Sequence, residues 1–181
     1  MADNEQAAAP VAPPMPDIRA ELAKIRTASP DAILAVEEHP ERDMFWITVP
    51  TRFLVSVAKL LRDDKALDYK MLADLTCVDR PEQERRLNVI YNFYSVSRNR
   101  RLFLRVFVAD GEPVPTLSAL YPAANWAERE VYDLFGVVFE GHPGLTRIMM
   151  PDDWDGYPLR KDYPIVGKRP VILYNDVKDV F

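Results

Sequence analysis

Residues 125–164 read NWAEREVYDLFGVVFEGHPGLTRIMMPDDWDGYPLRKDYP, and two unlike segments meet there. The first is a short, densely charged amphipathic helix. The second has no periodicity and is rich in Trp, Tyr, Pro, Asp, Arg and Lys. It is too irregular for a helix or a simple strand, and too apolar and aromatic for a solvated tail. Pro143, Pro151, Pro158, Pro164 and Pro170 remove backbone donors and block long helices. Such a segment needs a surface to lie on. It is expected to run extended over a partner rather than to pack as a domain. At about 3.3 Å per residue it could reach on the order of 100 Å.

The fold must therefore come from what precedes it. Ile18, Leu22 and Ile25 share one face of a helix that Asp17 can cap and Pro30 ends. Ile33–Glu38 and Met44–Val49 read as a hairpin across the polar stretch His39–Asp43. Pro50 suits the first turn of a helix with the stripe Phe53, Val57, Leu60 and Leu61. From Asp68 to Asp79 the residues alternate, with Tyr69, Met71, Ala73, Leu75 and Cys77 on the better-buried side. Leu87–Val96 and Leu102–Ala109 are strong strands joined by the polar turn SRNRR, and a short helical piece follows at Thr116–Leu120. The last helix opens at Asn125, with Glu128 three residues on as a capping-box acid, and Gly136 is its left-handed stop. The order α-β-β-α-β-β-β-α predicts an α+β two-layer sandwich: a mainly antiparallel sheet, helices on one face, and a long extended C-terminal tail. The expected divisions are a disordered Ala/Pro-rich leader over 1–16, the core over 17–141 and a partner-binding tail over 142–181. Only 6 glycines, and no GxGxxG after a strand, argue against a Rossmann fold.

Composition narrows the chemistry. A formal net charge of −5 argues against a general nucleic-acid binder. The one cysteine, Cys77, excludes an internal disulfide and any iron–sulfur cluster held by this chain alone. With only His39 and His142 beside it, a structural zinc site is disfavoured. The leader carries no Lys or Arg, unlike a secretory signal, and no apolar run approaches the roughly 18 residues that span a bilayer. Membrane association is expected only through partners.

The densest charged cluster is Glu128, Arg129, Glu130 and Asp133. Ordinary helix electrostatics accounts for part of it, since Arg129 can pair with Asp133 four residues on. Glu130 lies close to the apolar face, where a carboxylate is expected to have a partner such as an arginine, in this chain or in another. His142, in the turn EGHPG, reads as a turn or capping histidine. Arg160, Lys161 and Asp162, flanked by Trp154, Tyr157, Leu159 and Tyr163, have the composition of an interface centre. No GxSxG or Cys–His arrangement accompanies any of these, so catalytic residues are not assigned.

The string EREVYDLFGVVFEGHPGLTRIMMPDDW followed by GYPLRKDYP also resembles the thirty-kilodalton-type (C) subunit of NADH-quinone oxidoreductase, respiratory complex I. Its relatives occur in chloroplast-type NDH complexes and membrane-bound hydrogenases. The likeness runs from about Asp17 to Pro170, and Thr146 departs from the family pattern, which has a basic residue or Pro before Arg147. The resemblance implies a peripheral-arm subunit on the cytoplasmic side of a bacterial membrane, with no cofactor of its own. Iron–sulfur clusters and FMN would sit on other subunits. It implies docking on the large quinone-module (D) subunit, with the cluster-bearing B and I subunits nearby, through a C-terminal segment extended over that partner. The interface residues expected are Glu128, Arg129, Glu130, Asp133, His142, Arg147, Trp154, Arg160, Lys161, Asp162 and Tyr163.

Two other readings stay open at this level. One is the same role in a membrane-bound hydrogenase or a ferredoxin- or deazaflavin-linked complex. The other is a small hydrolase using Glu130, Asp133 and His142, which requires a pocket where the three converge.

Overall fold

The structure is a computed structural model that describes residues 18–39 and 44–165. The leader, the expected cap Asp17, most of the His39–Asp43 connection and residues 166–181 lie outside the described residues. In chain order the elements are α1 (Arg19–Ala28), β1 (Ala35–His39), β2 (Met44–Thr48), α2 (Leu54–Asp63), β3 (Met71–Asp79), β4 (Leu87–Ser95), β5 (Arg100–Val108), the two-residue β6 (Val114–Pro115), α3 (Pro122–Phe135) and the two-residue β7 (Phe139–Glu140). The expected order of helices and long strands is the observed one.

Five strands form one sheet in the order β1-β2-β5-β4-β3. All pairs are antiparallel except β2 with β5, which is parallel. The two-residue alternation sends Leu87, Val89, Tyr91 and Phe93 of β4, and Leu102, Leu104, Val106 and Val108 of β5, to a single buried face. Burying each such aliphatic side chain stabilises by about 1.5–3 kcal/mol relative to exposure. The helices cover this face: the Phe93 ring meets Tyr121, at the start of α3, with centroids 5.1 Å apart, and the Tyr121 hydroxyl donates to the Tyr69 carbonyl at 2.8 Å. The fold is the expected α+β one, with a mainly antiparallel sheet. α1 is tied down by a buried carboxylate: Glu21 takes the Tyr69 hydroxyl at 3.1 Å and pairs with Arg98 at 2.9 Å and Arg100 at 3.1 Å.

Three local expectations are corrected. In β3 a bulge between Leu72 and Asp74 breaks the alternation, so Leu72 joins Leu75 and Cys77 in the core while Met71 is exposed. A strict period of two cannot anticipate an inserted residue. Thr116–Leu120 is a turn, closed by the Leu120 and Tyr121 N–H groups on the Leu117 carbonyl, and not a helical piece. α3 begins at Pro122, with Tyr121 at its N-cap, three residues before the expected start at Asn125. Pro at the first helical position has a φ suited to the helix and no N–H to waste.

Residues 142–165 contain no helix or strand, as their lack of period suggested. They are not, however, cast off from the chain's own core. They fold back along α3 and across the ends of β3 and β4, and polar bonds hold them there. Their prolines forbid regular structure, but the side chains between find partners on their own domain.

Candidate functional site

The residues singled out in the sequence gather where α3 meets this returning segment. α3 buries Ala124, Glu128, Val131 and Phe135, a helical stripe that includes a carboxylate. Because the helix starts early, Glu128 lies in its second turn rather than at the third position, and it cannot act as a capping-box acid. It points inward, wholly buried, and accepts the Thr116 hydroxyl at 2.5 Å and the Leu117 N–H at 2.7 Å. Burial raises its pKa, partly offset by those two bonds and by His142. Glu130 is exposed. The expectation that it sits against the apolar face is corrected: the buried acids of this helix are Glu128, two residues earlier and on the opposite side, and Asp133.

Asp133 is wholly buried and is the hub of the site. It does not pair with Arg129. Its Oδ1 accepts from Arg147 at 2.6 Å, and its Oδ2 takes three successive backbone N–H groups: Ile148 at 3.0 Å, Met149 at 2.7 Å and Met150 at 2.8 Å. Burial alone would raise its pKa. The bonds from Met150, Arg147, Met149 and Ile148 outweigh burial and hold the carboxyl below the ordinary aspartate range. Arg147 spends its remaining donors on the carbonyls of Asp133 (3.1 Å), Trp154 (3.2 Å) and Gly156 (3.1 Å), and lies over the Tyr157 ring. One arginine therefore closes two successive loops.

Arg129 reaches the other side of the same loop. It donates to the Thr146 carbonyl and hydroxyl, both at 3.0 Å, and to the Arg147 carbonyl at 3.1 Å, while stacking on Trp126. Thr146, the departure from the family pattern, is thus a hydrogen-bond partner. His142 bridges by its ring: Nδ1 accepts the Gly144 N–H at 3.0 Å, so Nε2 is the nitrogen that donates to the Asn125 carbonyl, also at 3.0 Å. It is the turn histidine expected.

The end of the segment is fastened to the sheet. Arg160 donates to the Phe135 carbonyl at 2.6 Å and holds Asp110 in a two-pronged pair at 2.7 and 2.8 Å. The Lys161 backbone N–H donates to Asp79 at 2.8 Å, although its side chain is exposed. Asp162 takes Arg86 at 2.9 Å, and Arg86 grips Asp79 with two further bonds at 2.6 and 2.7 Å. Arg86 first, then burial against it, sets the direction for Asp79, whose pKa is lowered. Trp154 stacks on Tyr163 with centroids 6.4 Å apart, and the Tyr163 hydroxyl donates to the Asp155 carbonyl at 3.2 Å. Gly136 is required twice: its φ is +78°, and a Cβ there would run into the Tyr157 ring.

Asp79, Arg86, Asp110 and Thr116 were not singled out in the sequence. The signal for the first two was present, since Asp79 and Arg86 lie at the two ends of a β-hairpin connection, Asp79 opposite Leu87 and so diagonal to Arg86. Asp110 and Thr116 carried none, because their partners lie 50 and 12 residues away. Glu130, Asp133 and His142 are not brought together. A groove of about 520 Å³ runs beside Trp126, between Ser118, Pro122, Asn125 and Pro143, and neither Glu130 nor Asp133 lines it. Among the described residues no cluster of His, Cys, Asp and Glu has the spacing of a metal site, and no helix is long and apolar enough to cross a membrane.

The sheet domain and its polar-stitched, proline-rich return segment belong to a chain whose relatives are respiratory-complex subunits. The family described as "Respiratory-chain NADH dehydrogenase, 30 Kd subunit" matches residues 47–169, and the chain belongs to it. The NADH-quinone oxidoreductase C subunit of Roseiflexus castenholzii is 43% identical over 155 residues, covering 85% of this chain and 88% of that one. The C subunit of the same enzyme from Mycobacteroides abscessus is 47% identical over 128 residues, 70% of this chain; the chain spans only 56% of that longer relative. Of the solved structures, a trypsin-resistant fragment (1–134) of Nqo5 is 31% identical with a TM-score of 0.56, covering 69% of this chain and 99% of the fragment. The membrane-bound sulfane sulfur reductase, an archaeal respiratory membrane complex, contains a chain with a TM-score of 0.68 over 90% of this one; at 24% identity that likeness is one of fold.

Proposed function

We propose that this chain is a non-catalytic structural subunit of the peripheral arm of a proton-translocating NADH-quinone oxidoreductase. It docks on the large quinone-module (D) subunit, with the cluster-bearing B and I subunits beside it, on the cytoplasmic side of a bacterial membrane. It supports electron transfer from NADH to quinone by assembling the module; FMN and the iron–sulfur clusters belong to other subunits.

One observation carries the reading beyond family membership. Four charged side chains of α3 and the return segment are committed to shaping a surface: Asp133, Arg129, Arg147 and Arg160 bind backbone amides and carbonyls, and Asp133 also binds Arg147. A catalytic set converges on a space for substrate; here the polar groups converge on the backbone. The resulting surface is extensive, irregular and rich in Trp, Tyr, Met and Arg, residue types favoured at interfaces.

The test is mass spectrometry of what co-purifies with the full chain from its membranes in mild detergent. Subunits of a quinone-module complex are expected in fixed ratio. Recovery of the chain alone would overturn the reading, and a hydrogenase-type donor module in place of the NADH module would assign the chain to the related complex. The purified chain is expected to show no visible absorption; a stoichiometric flavin or iron–sulfur spectrum would contradict it.

A further inference from the structure

We propose that the outer face of α3 at Trp126, together with the loop at Met149, is a docking surface for a basic segment of a protein partner. An apolar side chain of that segment would seat against the indole. The inference rests on the assembly role proposed above and specifies where, and by what chemistry, one contact is made.

Trp126 is 65% exposed and Met149 60% exposed. An aromatic and a thioether left so open, where few of the large apolar side chains among the described residues are exposed, are what an interface centre is made of. Trp126, Arg129 and Asp133 follow one another at spacings of three and four, and Glu130 lies four after Trp126, so they form one stripe along the helix. The loop carrying Met149 is stitched to that same stripe. Arg129 lies over the indole, 4.9 Å from the ring centroid, and bonds to Thr146 and the Arg147 carbonyl. Asp133 holds the Met149 N–H itself. Trp126 thus stands on a regular helix and Met149 on backbone fixed by a buried carboxylate, and docking on them orders little that was free. Beside the indole, the groove between Ser118, Pro122 and Pro143 leaves about 520 Å³ for a partner side chain.

Charge chooses the occupant. Between Pro122 and Asp155 the cations are Arg129 and Arg147, and both place their donors on carbonyls and on Asp133. In the same stretch Glu130, Glu140 and Asp152 are exposed. The field over the apolar pair is therefore negative. It attracts lysine and arginine on a partner, and it repels nucleic acid and an anionic lipid surface.

The experiment uses the full chain, tagged and recovered from its membranes in mild detergent. One variant carries Trp126→Ala and Met149→Ala, the other Glu130→Lys and Asp152→Lys. All four side chains are exposed, and a thermal melt close to wild type verifies the fold. The apolar variant is expected to recover at least tenfold less of the other subunits. The charge-reversed variant is expected to lose subunits at low salt and to show a flatter dependence on salt than wild type. If both variants recover the subunits at wild-type levels while wild type assembles normally, the surface is idle and the proposal fails, leaving the assembly role intact. If wild type recovers no other subunit, the assembly role itself fails. Variants that abolish only self-association in sedimentation would assign the face to a second copy of this chain, and would equally overturn the proposal.

Discussion

The sheet and the return segment are held by opposite means. The β4–β5 centre is cohesive because apolar side chains alternate onto one face, and eight of them from these two strands alone are buried. Residues 142–165 bury few large apolar groups and are held by carboxylates and guanidiniums bonded to backbone. Hydrophobic contact is non-directional and tolerates local change. Charge-assisted bonds to backbone are directional, and losing one partner strands the others. The sheet should therefore melt as a unit, while the segment can be released with the sheet intact.

The sharpest way to break this contrast is Asp133→Ala. It strands Arg147 and three N–H groups, a loss of about 3–5 kcal/mol for a buried pair broken on one side. Hydrogen exchange should show residues 146–157 losing protection while β4 and β5 keep theirs. Loss of protection in both regions would mean that the segment and the sheet form one cooperative unit.

Glu128 ranks next. Glu128→Ala leaves the Leu117 N–H and the Thr116 hydroxyl without their acceptor and should cost about 1–3 kcal/mol. Glu128→Gln can still accept from Leu117 and avoids burying a charge, so its thermal melt should match or exceed wild type at neutral pH. If Ala and Gln were equally destabilising, the charge itself would be the stabilising feature.

Acid separates the carboxylates that hold the segment from the buried Glu128 by sign. Asp133 and Asp79 have lowered pKa values in the fold, so their stabilisation is complete above the ordinary carboxylate range. It is lost as pH falls below about 4, through the folded values. Glu128 is raised and works the other way, since protonation relieves its burial as pH falls. Proteolysis between pH 6 and pH 3 should cut the 146–162 stretch before the far-UV signal of the sheet changes. Simultaneous loss would count against the division. The smallest effect belongs to Glu130→Ala, which should change the melt of the isolated chain by no more than about 0.5 kcal/mol.

How much of this was legible follows from the range of each interaction. The strand pair β4–β5 and the left-handed Gly136 depend on neighbours within a few residues, and both stand in the structure as their periodicity and turn chemistry implied; α2 forms where expected, but it buries Leu54, Val57, Ala58 and Leu61, with Phe53 and Leu60 only half-buried. The helix α3 was legible in existence but not in phase. Its start at Pro122 took Glu128 out of the first turn, and the face packed on the core, Ala124, Glu128, Val131 and Phe135, leaves Glu130 in solvent. The β3 bulge escaped for the same kind of reason.

The sequence by itself determined the α+β class, the element order, the irregularity of residues 142–165 and the family to which the chain belongs, since each is written in local pattern or in a long ordered motif. Only the tertiary structure decided what the motif's charges do. The family string reads as a row of exposed interface groups, but Asp133 meets Arg147 across 14 residues, Arg160 meets Asp110 across 50, and Asp79 meets the Lys161 N–H across 82. A charged side chain carries no local sign of whether its partner is water, another subunit or its own backbone. That choice is made where the folded chain returns upon itself, because burying a carboxylate is tolerable only where donors are already in place to receive it.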